Sequence, residues 1–198
     1  MAFNINSFRE ELEFGGARAS LFSIELQNPV DGRGDDKIRF MARATALPTS
    51  SVGFSEIPYF GRTIKVAGQR RYDDWLITVI NDEDFAVRHA LEAWHNSLNS
   101  HEPNLRDAGY QRPESYKRDG SVIQYSKSGD ILRKYKFVGC FPSDLSAIGL
   151  DWAQADVIEE FQVNFKYDYW LLDENTSTAT NTVASGNEGE FVAEGRAL

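Results

Sequence analysis

Three histidines are the residues of this sequence best suited by type to bind a metal ion. His89, His95 and His101 follow one another at intervals of six residues. On a helix, that interval turns successive side chains by about 240°, so the three imidazoles cannot converge on one ion. We therefore expect solvent-facing histidines on a helix and no metal site.

Paired carboxylates could supply a general acid and a general base. Such chemistry needs two groups that converge in one pocket with separated pKa values. Adjacent residues of a strand instead point to opposite faces, which favours structural or surface roles. The acidic pairs of the sequence are Asp35-Asp36, Asp73-Asp74 and Glu159-Glu160.

A run of alternating Asp and Gly from Asp31 to Asp35 faintly resembles a calcium-binding loop. The bidentate Glu that closes such a loop is missing at the required distance, and Asp and Gly are ordinary turn residues, so a tight turn is favoured. The sequence contains no Gly-rich phosphate loop, nucleophile elbow or paired-His zinc motif. We predict no catalytic residue, no metal and no cofactor.

A single cysteine, Cys140, excludes an internal disulfide and a cysteine-based metal cluster. It lies in a predicted strand between Gly139 and Phe141, where we expect a buried and inert thiol.

Composition limits the partners of this chain of 198 residues. Its net charge of −9 argues against nucleic acid as a tight ligand, because phosphate binding needs concentrated Lys and Arg. No window approaches the ~18 apolar residues of a membrane helix, so we expect no direct membrane insertion. The N-terminus lacks the basic start and apolar run of a secretory signal, which predicts that the chain begins in a cytoplasm.

The stretch from Ala44 to Asp82 is the most informative part of the sequence. It reads as strand, turn, strand, short break and strand. The last strand, Trp75 to Ile80, is apolar on both faces, which is typical of a strand inside a sandwich or at an interface with another copy. The stretch is typical of a structural building block and holds almost no residue type suited to catalysis.

The rest of the sequence divides into an N-terminal arm (1–19), a β-rich body (20–170) and a low-complexity acidic extension (171–198). Within the body, Val87, Leu91, Trp94 and Leu98 form one apolar stripe, which predicts a helix that begins at Asn81 to Glu83 with Asp82 as its cap. Further strands are predicted at Ser20 to Gln27, Ile38 to Leu47, Val122 to Lys127, Ile131 to Phe141 and Val157 to Trp170.

Several segments of the body, in order and at plausible spacing, resemble the tail tube proteins of contractile-tailed, T-even-like bacteriophages. The resemblance covers roughly Ser20 to Trp170, and the extension runs past the point where this family is expected to stop. The segments are Ala44 to Pro48, Ile57 to Arg62, a predicted turn at Lys65 to Gly68, Asp73 to Trp75 with Thr78 to Glu83, Leu150 to Trp152, Ile158 to Phe161 and Tyr167 to Trp170.

The resemblance implies a mainly β fold, an antiparallel β-sandwich or barrel with one flanking α-helix, whose sheets join those of neighbouring subunits into a closed ring barrel. Hexameric rings would stack into a tube that conducts DNA into the host, with tail sheath, baseplate tube and tail terminator proteins as partners. The chain would assemble in the host cytoplasm as a virion tail component. Three alternative functions stay open. The chain could be a tube initiator, terminator or baseplate tube protein of the same fold, a ligand-binding sandwich or, remotely, a hydrolase.

Two sets of residues follow as candidate sites. The predicted subunit interface consists of Gly53, Phe54, Ile57, Tyr59, Phe60 and Arg62. The resemblance implies that a hairpin from Ile38 to Val66 lines the lumen, where acidic side chains would repel DNA weakly and leave it free to move. Glu56 is the first candidate, followed by Asp73 or Asp74. The alternative is that net charge merely keeps the free subunit soluble.

Four basic residues of the same region are expected in pairs between subunits: Arg39, Arg43, Arg62 and Lys65. The acidic extension, Asp173 to Leu198, is expected on the outer wall of the tube or between subunits, because a flexible acidic chain inside a DNA conduit would obstruct it.

Overall fold

A computed structural model describes residues 5–12 and 15–173. Its strands are β1 Phe22–Leu26, β2 Ala42–Thr45, β3 Ser51–Tyr59, β4 Arg62–Arg71, β5 Trp75–Ile80, β6 Arg118–Tyr125, β7 Ile131–Leu145, β8 Glu160–Lys166 and β9 Tyr169–Leu172. Its α-helices are α1 Ile5–Glu11, α2 Asp35–Met41, α3 Ala86–Leu98 and α4 Pro113–Tyr116. The expectations for the C-terminal extension after Asp173 lie outside the described residues.

Seven of the described strands form one antiparallel sheet that folds over along β7. The first half of β7 pairs with β6 and β9, and its second half pairs with β8, so that the strand order is β1-β6-β7-β8-β5-β2. The bend lies at Gly139, which has φ +72°; a Cβ added there would be 2.4 Å from Oδ2 of Asp168. Only glycine combines this conformation with so close an approach.

The core lies between the two halves of the sheet and α3. Aromatic side chains from both halves fill it, with Trp75 and Phe165 on one side and Phe137 on the other, all at most 2% exposed. Helix α3 adds Trp94, whose ring lies 6.2 Å from that of Phe165. The mainly β, antiparallel fold with one principal flanking helix is as predicted.

Strand β5 confirms the predicted strand from Trp75 to Ile80, but the two faces differ. Trp75, Ile77 and Val79 are buried in the core, whereas Leu76 is 38% exposed and Ile80 is half-buried. The second face is therefore left partly open within one chain.

The apolar stripe of α3 is also confirmed, since Val87, Leu91 and Trp94 are buried. The predicted start of this helix is wrong. Helix α3 begins at Ala86, after Phe85 in the left-handed conformation (φ 51°), and a carboxylate oxygen of Asp84 accepts the Ala86 N–H. Because the acidic residues before it form a separate turn, the helix begins about one helical turn later in the sequence than predicted.

The predicted strand Ile38 to Leu47 is wrong in its first half. A 3-10 turn at Gly32–Gly34 leads directly into α2, and the Asp35 carboxylate accepts the backbone N–H of Asn28 there. Ile38 faces the core from this helix, while Phe40 points outward and is 78% exposed. Only β2 remains of the predicted strand.

The predicted strand Val157 to Trp170 is two strands, β8 and β9, separated at Tyr167 and Asp168. Strand β8 pairs with the second half of β7 and β9 with the first half. Because β7 bends between these halves, a chain that pairs with both must break at the bend.

One histidine differs from its prediction. His95 is half-buried against β7, its Nε2 has no hydrogen-bond partner within the described residues, and burial lowers its pKa. His89 and His101 are exposed. Among the described residues, no group of His, Cys, Asp and Glu is placed to hold a metal ion, and no helix has the length and apolar character to span a membrane.

Candidate assembly interface

The hairpin of β3 and β4 forms a two-stranded sheet of its own. Its strands are nine and ten residues long, about 30 Å at the usual rise per residue. Every residue of the two strands except the half-buried Gly53 is exposed. A lone two-stranded hairpin is marginally stable in water, so this element is built to be completed by another surface.

A two-residue turn, Phe60-Gly61, closes the hairpin, and the predicted turn at Lys65 to Gly68 is wrong because those residues lie inside β4. Both turn residues have positive φ, 41° for Phe60 and 81° for Gly61. A type I′ turn of this kind favours Asn or Asp before Gly, and a bulky residue there is strained.

Phe60 is also 93% exposed, and its only ring contact within residues 5–12 and 15–173 is an edge contact with the adjacent Tyr59. Neither turn chemistry nor packing against the described part of the chain accounts for an aromatic residue at this tip. An observed strain of this kind points to a function in contact with another molecule.

The pairing register divides the hairpin into two faces. On one face Ile57 lies opposite Ile64, flanked by Val66 and Tyr59, and these side chains are between 46% and 62% exposed. Contiguous apolar surface of this kind marks a protein interaction site. We define these four residues as the apolar face.

The other face carries charge. Glu56 lies opposite Lys65, with 3.7 Å between carboxylate and ammonium, and the same ammonium lies 4.9 Å from the ring centre of Phe54. Because it carries a paired carboxylate and ammonium, this face is better suited to contact with solvent than to burial against another subunit.

A bulge near the base of the hairpin places Gly68 and Gln69 opposite Gly53. A Cβ added to Gly68 would lie 3.2 Å from the backbone of Gly53. The two glycines therefore permit a close approach of the two paired strands at the bulge, and a bulge increases the local twist of the hairpin.

All six predicted interface residues lie in this hairpin, from Gly53 to Arg62. The structure does not bring the three predicted lumen carboxylates together. Glu56 lies five residues along β3 from its start, about 17 Å. Asp73 and Asp74 lie instead between β4 and β5, at the base of the hairpin.

The two basal carboxylates already have partners. Thr49 donates its hydroxyl to Asp73 at 2.7 Å, and the Lys166 ammonium lies 2.6 Å from an oxygen of Asp74. Two of the basic residues expected in pairs between subunits also have partners within the chain, since Arg43 pairs with Glu160 and Lys65 with Glu56.

Sequence reasoning missed one exposed apolar segment, the loop between β7 and β8. Trp152 is fully exposed in this loop, and Leu150, Val157 and Ile158 are between 64% and 82% exposed. A segment without strand or helix periodicity carries no sequence signal of which side chains are exposed, so Trp152 could be recognised only from the fold.

Comparison with known proteins gives a consistent result. A family model described as "Phage tail tube protein" matches residues 5–173. The chain is 31% identical over 155 residues to the tail tube protein gp19 of Enterobacteria phage T4, covering 78% of this chain and 90% of the relative. It is 25% identical over 168 residues to the tail tube protein of Serratia phage KSP90, covering 82% and 93%.

Solved structures share the fold. A structure described as the sheath/tube terminator of an extracellular contractile injection system aligns with a TM-score of 0.57 at 13% identity, covering 79% of this chain and 96% of that one. A chain of the baseplate of the anti-feeding prophage aligns with a TM-score of 0.56 at 10% identity, covering 79% and 95%. At these identities the likeness shows the fold alone.

Proposed function

The chain belongs to the phage tail tube protein family and is a structural subunit of the tail tube of a virion, and from that premise we propose that it forms hexameric rings stacked into a conduit for DNA. The exposed hairpin is the observation that carries the proposal. It needs a surface to cover its apolar face, and no other element of the described chain supplies one.

Closure of a ring would also supply hydrogen-bond partners for the unpaired strand edges of the subunit. Strands β1, β2 and β9 each leave one edge unpaired within the described chain. Unpaired edges invite uncontrolled association unless a defined partner covers them. Joining neighbouring sheets and hairpins around a ring closes them into one barrel, and symmetry makes every contact equivalent.

The charged face of the hairpin is the candidate lumen wall. Its central charges, Glu56 and Lys65, offset one another, so the wall holds no dense cluster of free cations to retain phosphates. Asp73 and Asp74 extend the wall at the base of the hairpin. DNA would pass through without specific binding.

The other partners and the site of assembly are part of the same proposal. A tube of this kind takes a tail sheath outside it and baseplate and terminator proteins at its ends. It assembles in the cytoplasm of the host without membrane insertion, and it carries out no catalytic turnover.

Two substitutions on the hairpin test the proposal. Ile57→Asp and Ile64→Asp each place a charge on the apolar face, at side chains that are 52% and 54% exposed, so the subunit should keep its circular dichroism spectrum. Leu105→Asp is the matched control, since Leu105 is 66% exposed but lies on the loop after α3. Negative-stain microscopy should show tubes for the wild type and the control and none for the hairpin variants. Intact tubes from both hairpin variants would refute the proposal.

The same images separate a main tube subunit from a cap. A propagating subunit gives tubes of many rings, whereas an initiator or terminator gives single or paired rings. Truncation after Leu172 should still yield tubes, and a density map of the intact tube in which Asp173 to Leu198 project into the lumen would overturn the proposal that the extension lies outside it.

A further inference from the structure

The first half of the folded sheet presents lysines and exposed apolar side chains on its outward face. Leu171 of β9 lies opposite Lys136 of β7, and both point away from the adjacent core residue Phe137. Leu171 is 51% exposed, and Tyr169, two residues before it on the same face, is 44% exposed. We define the β7–β9 face as Lys134, Lys136, Tyr169 and Leu171.

Basic residues are concentrated in the chain that borders this face. The segment 126–136 has four basic residues and one acidic residue, a net charge of +3, although the whole chain has −9. Ion pairs offset two of these charges, because Lys134 lies 2.9 Å from Glu25 and Lys136 lies 2.7 Å from Asp119. The surface remains basic relative to the rest of the subunit.

The C-terminal extension leaves the sheet at this face. The Asp173 N–H donates to the Lys134 carbonyl and so prolongs the pairing of β9 with β7 by one residue. Because the two strands are antiparallel, the chain leaves toward the turn between β6 and β7. The hairpin of β3 and β4 lies in the other direction, where the Trp170 indole donates to the Thr49 carbonyl. The family match ends at residue 173, so residues 174–198 are an addition to the family's common body.

The extension carries the opposite charge and an apolar pair of its own. Residues 174–198 have four acidic residues and one Arg, a net charge of −3, and no Lys. Three of the four acidic residues fall within residues 188–194, where they flank Phe191 and Val192. This short segment therefore combines the two properties that the β7–β9 face would bind.

We propose that residues 188–194 of the extension bind the β7–β9 face of their own subunit. Phe191 and Val192 would cover the exposed apolar side chains of the face, and the flanking carboxylates would lie beside its lysines. The contact forms within one subunit and needs no ring, so its failure would leave the proposed function standing.

The length of the chain permits this contact. Glu188 follows Asp173 by 15 residues, which span at most about 50 Å when fully extended. The turn between β6 and β7 begins four residues from Lys134, about 14 Å along the strand. Exposed ion pairs contribute little on their own, but attachment to the same chain raises the effective concentration of the segment. The extension would thus act as a cover that a more tightly binding partner can displace.

Charge and chain direction disfavour the other surfaces of the subunit. The segment 82–107, which contains α3, has six acidic and two basic residues, a net charge of −4 that repels the extension. The hairpin segment 51–71 has a net charge of +3, but the chain leaves β9 in the opposite direction. The β7–β9 face is the basic surface that the extension meets first.

The first test measures acetylation of the Lys136 amine in the full-length protein and in a truncation after Asp173. We expect acetylation to be about threefold slower in the full-length protein, as for a cover that is in place about two-thirds of the time. Lys166 is the matched control, because its side chain is 52% exposed and paired with Asp74 at 2.6 Å, against 47% exposure for Lys136. Equal rates at Lys136 in the two proteins, or the same change at Lys166, would overturn the proposal.

A second comparison keeps the full chain and removes only the charges of the segment, by Glu188→Gln, Glu190→Gln and Glu194→Gln together. Acetylation of Lys136 should then approach the rate in the truncated protein. The control removes three exposed carboxylates elsewhere and should leave the rate unchanged, by Glu83→Gln, Glu102→Gln and Glu114→Gln. The same rate at Lys136 in both triple variants would contradict a specific contact.

Carbodiimide cross-linking of a mixture of ¹⁵N-labelled and unlabelled protein tests whether the contact lies within one subunit. We expect links from residues 188–194 to Lys134 or Lys136, with both linked peptides of the same isotopic form. Links between the two isotopic forms, or links mainly to Lys65 of the hairpin, would overturn the proposal. An absence of rings in the same preparation would instead contradict the proposed function.

Discussion

The indole of Trp75 stacks on the ring of Phe137, with 4.2 Å between ring centres and 11° between ring planes. Trp75 belongs to β5 and Phe137 to the first half of β7, so this pair joins the two halves of the folded sheet. Gly120 of β6 lies against the same indole, and a Cβ added there would be 2.7 Å from Trp75 Cζ3. The position therefore requires a residue without a side chain.

Gly120→Ala should overpack the core. The added methyl must displace the buried indole, at a cost of about 1–3 kcal/mol in the free energy of unfolding. The control is Gly109→Ala, where an added Cβ meets nothing within 4 Å. Urea unfolding should show the loss for the first variant only, and equal stabilities would contradict the tight contact at Trp75.

Glu25 should contribute to stability in a way that depends on pH. The Lys134 ammonium, 2.9 Å from its carboxylate, holds the pKa of Glu25 below its ordinary value of 4.5. A lowered pKa of a carboxyl stabilises the folded state above the unfolded pKa, and this contribution is lost as pH falls through the folded pKa.

We therefore expect the wild type to lose more stability than Glu25→Gln when unfolding is compared at pH 6 and at pH 3. Lys134→Met should reduce the difference in the same way. Parallel pH profiles for the wild type and both variants would show that this pair contributes nothing.

His95 should make stability depend on pH in a higher range than Glu25 does. Burial lowers its pKa from the ordinary value of 6.5, against a hydrogen bond with the Pro142 backbone and the charge of Asp144, which raise it; Arg88 and His101 lower it further. The folded state thus favours the neutral imidazole. Its contribution is complete above about pH 6.5 and is lost as pH falls below that value.

The measurement is the free energy of unfolding between pH 7.5 and pH 5. His95→Leu should flatten the profile relative to the wild type, whereas the exposed His89→Leu should leave it unchanged. A wild-type profile that is matched by His95→Leu would contradict the lowered pKa.

Cys140 should be inert in the folded subunit. It is fully buried, and burial raises the pKa of its thiol to about 12. Since the thiolate is the reactive species, a disulfide-exchange reagent at pH 8 should react only after unfolding in denaturant. Rapid reaction of the native protein would show that the bend of β7 opens.

Much of the body could be predicted from the sequence because local periodicity and burial agree there. The apolar stripe of α3 and the apolar strand from Trp75 to Ile80 are local patterns of this kind, and both elements are found as predicted.

The errors arose where tertiary contacts decide local structure. Ile38 reads as a strand residue, yet the 3-10 turn and the Asp35 contact to Asn28 begin a helix. The break at Asp168 follows from the bend at Gly139, a feature of a distant strand.

The candidate interface could be located from sequence only as a region. The predicted residues from Gly53 to Arg62 fall in the hairpin, but its register and turn were needed to separate the apolar face from the face of Glu56 and Lys65. Trp152 gave no periodic signal, and its exposure appears only once the fold is known.

The most direct test of the account is the symmetry and mass of the purified wild-type assembly. Cryo-electron microscopy with mass photometry should show rings of six subunits stacked into hollow tubes, with the hairpin of each subunit covered by its neighbours. A protein that stays a 22.4 kDa monomer at assembly concentrations, or rings in which the hairpin remains exposed to solvent, would contradict it.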